Sequence, residues 1–151
     1  MGVFAYTITT EKVMDAAVNL GTADLRVKVL MSNTNAGTLK DAVNLAALTL
    51  DEYDGAGYTQ LDLAAIMTTR VDASDRSQLD ADDGSFGATV AAGTRPIKAL
   101  LIYVRVDGTA ANDWPLVYDD TPVVFASGTY NGDGGPLSVA FDTTGFLHIA
   151  A

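Results

Sequence analysis

Apolar residues are densest between Ile97 and Val106, within the stretch RPIKALLIYVRV, where Lys98 and Arg105 stand near the two ends. The run is too short to span a membrane and suits a strand buried on both faces. Arg95 and Pro96 open it, where a missing N–H costs a sheet least. Ile97, Leu100, Ile102 and Val104 are its expected core positions. Elsewhere the pattern alternates. Phe4, Tyr6 and Ile8 share one face of Val3–Thr9, which reads as a strand. Asp24–Met31 reads as a half-exposed strand, with Leu25, Val27, Val29 and Met31 inward and Arg26 and Lys28 outward.

Helical spacing is rarer. Thr10 is the expected cap of a short helix in which Val13, Met14, Ala17 and Val18 share a face, stopped at Leu20-Gly21. Thr38–Leu48 fits a helix, and Leu45–Glu52 fits a strand; a short helix followed by a strand is the expectation. Asp54–Gly57 is a tight turn asking for positive φ at its glycines. Tyr58–Val71 reads as one or two strands, after which Asp72–Arg76 is a turn. Ser77–Ala81, Phe86–Ala92 and Trp114–Tyr118 read as strands, and Val123–Ala126 as a short apolar piece. Tyr130–Gly135, YNGDGG, is the strongest turn signal, and Leu137–Phe141 and Phe146–Ala150 close the domain. Short strands with turns at this spacing indicate an all-β fold, a sandwich or barrel, with one or two short helices toward the N-terminal half.

Composition supports many turns. Of 19 acids, 17 are Asp and only Glu11 and Glu52 are Glu, and there are 14 glycines. Asp favours turns and caps, whereas Glu favours helix interiors. At 151 residues one domain, 1–151, is expected, with residues 1–9 a candidate extended arm or strand. The net charge of −10 disfavours nucleic acid and anionic lipid as partners. Without cysteine there is no disulfide or thiolate chemistry. MGVFAYTITTEK lacks the basic and long apolar regions of a signal peptide, and Tyr6 stands where a myristoylation motif needs Ser or Thr.

Candidate chemistry is thin. His148 is the only histidine, sits in an apolar strand and has no G-x-S-x-G elbow to serve. Asp80, Asp82, Asp83 and Gly84 start like a calcium loop. The glycine falls one position early, and Ala91 stands where the closing glutamate belongs. Asp119-Asp120 and Asp51/Glu52/Asp54 are acid pairs of the kind a glycosidase uses and of the kind that ends turns. Gly55-Ala56-Gly57 is too short for a dinucleotide fingerprint, because Gln60 follows where glycine is needed. No catalytic residue, metal or cofactor is expected. The aromatics Phe4, Tyr6, Trp114 and Tyr118 are core packing by default, with a partner interface as their alternative use.

Taken in order, EKVMDAAVNLGTADLRVKVLMSN, LDEYDGAGYTQLDL, SQLDADDGSF, RPIKALLIYV and GGPLSVAFDTTGFLHIA resemble a group of small head-associated virion proteins of tailed bacteriophages: decoration, cement or minor capsid proteins. The resemblance covers most of the chain; 105–133 fits it least. It implies an antiparallel, jelly-roll-like β-sandwich and a trimer or similar homo-oligomer. The implied partner is the major capsid protein at the capsid exterior of the virion, after assembly in the host cytoplasm. It implies structural roles for Gly55, Gly57, Tyr58 and Thr59 in a turn and for Arg95 and Pro96 at the central strand, and catalysis for none. The alternative is a tail or fibre module that binds host-surface glycan through Trp114, Tyr118 and Asp119-Asp120. An enzyme using two Asp ranks third.

Overall fold

The computed structural model describes residues 3–15, 19–71, 76–121, 131–141 and 147–150. The fold is mostly antiparallel β structure. Its strands are β1 (Phe4–Ala5), β2 (Leu25–Met31), β3 (Leu61–Asp62), β4 (Met67–Val71), β5 (Arg76–Asp80), β6 (Gly84–Gly87), β7 (Ile97–Val104), β8 (Trp114–Asp119), β9 (Leu137–Val139) and β10 (Leu147–Ala150). Among the described residues one α-helix, α1 (Thr7–Met14), follows β1, and a 3₁₀ turn covers Leu45–Ala47. The sheets run β1-β8-β7-β2-β3, β10-β5-β4 and β6-β9.

Strand β7 lies in the middle of the five-stranded sheet, and its residues Ala99 through Val104 are all buried. Neighbours on a strand point to opposite faces, so both faces of β7 are covered. Its ladder with β8 shifts register between Ile102 and Tyr103, beside Pro115, which has no N–H to give the ladder.

Strand β2 is not half-exposed. Leu25, Val27, Val29, Leu30 and Met31 are buried, and Lys28 is only 9% exposed. Alternation misled here because Lys28 is buried with a partner: its Nζ lies 2.7 Å from Glu52 Oε2 and 5.3 Å from the centre of the Tyr103 ring. The outer edge of β2 is fully occupied. Leu63 N donates to Leu25 O, Tyr53 N to Val29 O, and Met31 N to Asp51 O, while Val29 N donates to the Tyr58 hydroxyl. The expected strand over 45–52 therefore shrinks to one bridge, Leu30 to Glu52, because Asp51 turns out of the extended region at φ 41°.

The N-terminal segment also differs from expectation. Only Phe4 and Ala5 are strand, paired with Tyr118 and Val117. The helix starts at Thr7, so Thr10 lies inside it, and Tyr6 at its N-cap makes no side-chain cap. Docking overrides the local signal. Tyr6 N donates to Leu116 O, its hydroxyl donates to Ala36 O at 2.7 Å, and Thr9 Oγ1 donates to Leu116 O at 3.0 Å. Phe4, Ala5, Tyr6 and Thr9 are thus bound to the chain's own β8. Of the expected turn Asp72–Arg76, Arg76 opens β5 instead; residues 72–75, the apolar piece at 123–126, the helix-face residues 17 and 18 and the strand start at 146 lie outside the described residues.

Leu101→Ala is expected to cost about 2–5 kcal/mol, because Leu101 is fully buried in β7. Lys98→Ala, on the one exposed residue of that strand, should stay within about 0.5 kcal/mol of the parent. Urea unfolding of the two variants measures both.

Candidate functional site

The sequence motifs at 50–59 and 93–96, some forty residues apart, meet in one place with 131–132 to form a clasp. Asp51 carries the first join. Its carboxylate pairs with the Arg95 guanidinium through both Nε and Nη2, and also accepts from Asn33 N at 2.7 Å. The fork-shaped guanidinium matches the two carboxylate oxygens. Asp54 carries the second join, accepting from Thr94 N at 2.8 Å and Thr94 Oγ1 at 2.7 Å. The hydrogen bond from Arg95 is the chief cause holding the Asp51 carboxyl below the usual carboxylate range; bonds from Thr94 do the same for Asp54.

Tyr53 carries the third join. Its hydroxyl accepts from Gly93 N at 2.9 Å and Gly132 N at 2.8 Å. Its proton faces two acceptors, Asn131 Oδ1 at 2.7 Å and Ala91 O at 2.9 Å. Asn131 completes the knot by donating from Nδ2 to Gly93 O at 2.8 Å and accepting from Gly93 N at 2.8 Å. Packing here is close enough to require glycine. A Cβ at Gly55 would run into Ala91 O, one at Gly57 into Thr89 O, and one at Gly132 into Ala91 O and Val90 O. Of the two glycines in the DGAG turn only Gly57 has positive φ, at 88°, so Gly55 is demanded by space and not by conformation.

Tyr58 and Thr59 extend the clasp toward the sheets. Tyr58 donates to Glu52 Oε1 at 3.1 Å, linking it to the Lys28 pair, and its ring stacks on Phe86. Burial pushes the Tyr58 phenol far above its ordinary value, so it stays a neutral donor. Thr59 N and Oγ1 both donate to Phe86 O, joining the turn to β6. Tyr103 donates to Gln60 Oε1 at 2.7 Å, and burial raises its phenol to about 12.

Six of the acids read as candidate chemistry have separate tasks. Asp51, Glu52 and Asp54 hold Arg95, Lys28 with Tyr58, and Thr94. Asp80 Oδ1 accepts from Ala81 N, and Asp83 Oδ1 from Phe141 N. Asp119 Oδ1 accepts from Thr121 N. Among the described residues, no group of three or more His, Cys, Asp or Glu is placed to hold a metal ion. Residue 148 lies on β10 opposite Gln78.

Of the aromatics offered as an alternative interface, Tyr6, Trp114 and Tyr118 are buried within this chain. Tyr6 is 0%, Tyr118 1% and Trp114 6% exposed. Phe4 is partly buried, stacked on Tyr118 and covered by Lys40, whose Nζ lies 4.6 Å from its ring centre. The backbone of β1 and Tyr6 N pair with β8, which would otherwise offer an unpaired border. Sequence patterning missed Tyr53, Asn131 and Lys28 as organising residues. Only the turn composition of YNGDGG pointed near Asn131.

Comparison with protein-family models, with curated proteins and with solved structures finds no match to this chain.

Two glycines of equal φ separate crowding from conformation. Gly57→Ala, at φ 88° against Thr89 O, should cost about 3 kcal/mol or more. Gly134→Ala, at φ 87° with open space around it, should cost only about 1 kcal/mol in the same denaturation assay. Acid unfolding tests the ion pair. Asp51 titrates lower in the fold than in the open chain, so its stabilisation is complete above the open-chain value and is lost as pH falls through the folded one. Arg95→Ala should therefore move the acid-unfolding midpoint to higher pH, with the two proteins converging at the lowest pH.

Proposed function

We propose that this chain is a structural virion protein that binds the outer surface of a tailed-phage capsid and reinforces it, without catalysing a reaction. The clasp carries the reading. The stretches DEYDGAGYT and RPI, through which the chain resembles head-associated phage proteins, are bound to one another through Asp51–Arg95 and joined again by Asp54–Thr94. Residues so occupied hold a shape, and a protein that acts by contact needs a shape more than a reactive group. The three antiparallel sheets are, on this reading, parts of a jelly-roll-like sandwich, and the assembled form is a trimer seated on the major capsid protein.

Charge and surface support it. A chain of net charge −10 suits the outside of a DNA-filled particle better than contact with the DNA. Val3, Leu39 and Val43 are exposed apolar residues on the two segments that Thr7 N to Lys40 O and the Lys40–Phe4 contact bring together. They offer an apolar start for a contact that would bury roughly 1,200–2,000 Å² in a stable complex. Glycan binding by a tail module ranks second, since Trp114 and Tyr118 present no exposed ring for a sugar to stack on.

Binding to the assembled shell alone would stabilise it by mass action. Particles that carry the protein should keep their DNA through a heat or osmotic shock that empties particles lacking it, and adding purified protein back should restore the resistance. Equal release from both kinds of particle overturns the reading.

A further inference from the structure

Asn131-Gly132 is the one Asn-Gly step in the sequence. This dipeptide is chemically labile because glycine has no side chain to shield its amide nitrogen. That nitrogen attacks Asn Cγ and its proton goes to base. Ammonia leaves, and water then opens the five-membered imide to Asp or isoaspartate. The fold thus places a labile amide inside the polar knot of the clasp.

The clasp opposes each part of that reaction. Gly132 N points its hydrogen at the Tyr53 hydroxyl, 2.8 Å away, and is also 3.1 Å from Asn131 Oδ1, so it faces its own amide as a donor. Ring closure would swing the amide oxygen away from Gly93 N and from the Tyr53 hydroxyl, and would free Nδ2 from Gly93 O. Gly132 has no room to follow, hemmed in by Ala91 O and Val90 O. The product would fit badly. An Asp at 131 sets a carboxylate oxygen where Nδ2–H now donates to Gly93 O, and isoaspartate also lengthens the backbone at that point.

We propose that Asn131-Gly132 is a deamidation site gated by the clasp: the closed fold keeps the amide, and a chain whose clasp opens loses it and recloses more weakly. The site would leave a permanent mark of a reversible opening, because the modification removes a donor that closure uses.

The test is incubation of the full chain at mildly alkaline pH and 37 °C, folded or held open in urea, followed by peptide mapping for isoaspartate and the gain of one mass unit at 131. If only the open form reacts, the folded chain should deamidate at least about a hundredfold more slowly. Sub-denaturing urea should raise the rate in step with the open population. Tyr53→Phe, which removes the hydroxyl partner of Gly132 N, should raise it in the folded chain; should that variant not fold, the urea series alone decides. Asn131→Asp should unfold at lower urea than the parent. Deamidation at 131 equally fast in folded and unfolded chain, or an Asn131→Asp midpoint equal to the parent's, overturns the proposal.

Discussion

Burying β7 on both faces commits the rest of the chain. A strand with no wet side must sit inside a sheet whose neighbours are also covered, and each peptide group around it must find a partner within the protein. Strands β2 and β8 supply the ladders on either side. Their own outer edges then become the problem. The chain solves it piecewise: Phe4, Ala5, Tyr6 and Thr9 close β8, while residues 51–53, 58 and 61–63 close β2. Short pieces of this kind leave little continuous edge for another chain to pair with.

The clasp follows from the same demand. Residues 51–58 cannot run as a regular strand beside β2, because they must also present Glu52 to Lys28, Tyr53 to Asn131 and Asp51 to Arg95. Serving three directions from consecutive positions requires irregular backbone, and the positive φ at Asp51 and Gly57 marks where the chain leaves the extended region. Side chains then supply the bonds that a ladder would have given. A polar network of this density stabilises only when its members are satisfied, and Tyr53, Asn131 and Asp51 each meet two or more partners.

What was legible in the sequence divides along range. The apolar run at 97–104, the turn at DGAG and most short strands could be read from local pattern, because each depends on neighbours within a few residues. The burial of Lys28 could not, since its partner Glu52 is 24 residues away and its ring, Tyr103, is 75 away. The start of α1 at Thr7 was hidden for a similar reason: Tyr6 ends the strand by bonding Ala36 and Leu116, and no helix signal stands at Thr7 itself. The turn motif and the central-strand motif were each visible, but their contact was not. Pattern reports which residues want to be inside, and says little about which distant residue they will meet there.

Charge sets the last constraint on how such a surface can work. Lys28 and Arg95 are paired within the fold, and Arg26 and Arg105 are matched to Asp24. These bases are occupied within the molecule, and over the whole chain acids outnumber bases by ten. Copies of this chain packed side by side would repel one another over roughly 8 Å at physiological salt. Contacts between copies must therefore be short-ranged and made where acids are sparse. The junction of Val3, Phe4, Leu39, Lys40 and Val43 sets apolar groups around a lysine held over an aromatic ring, with exposed Asp41 beside that lysine.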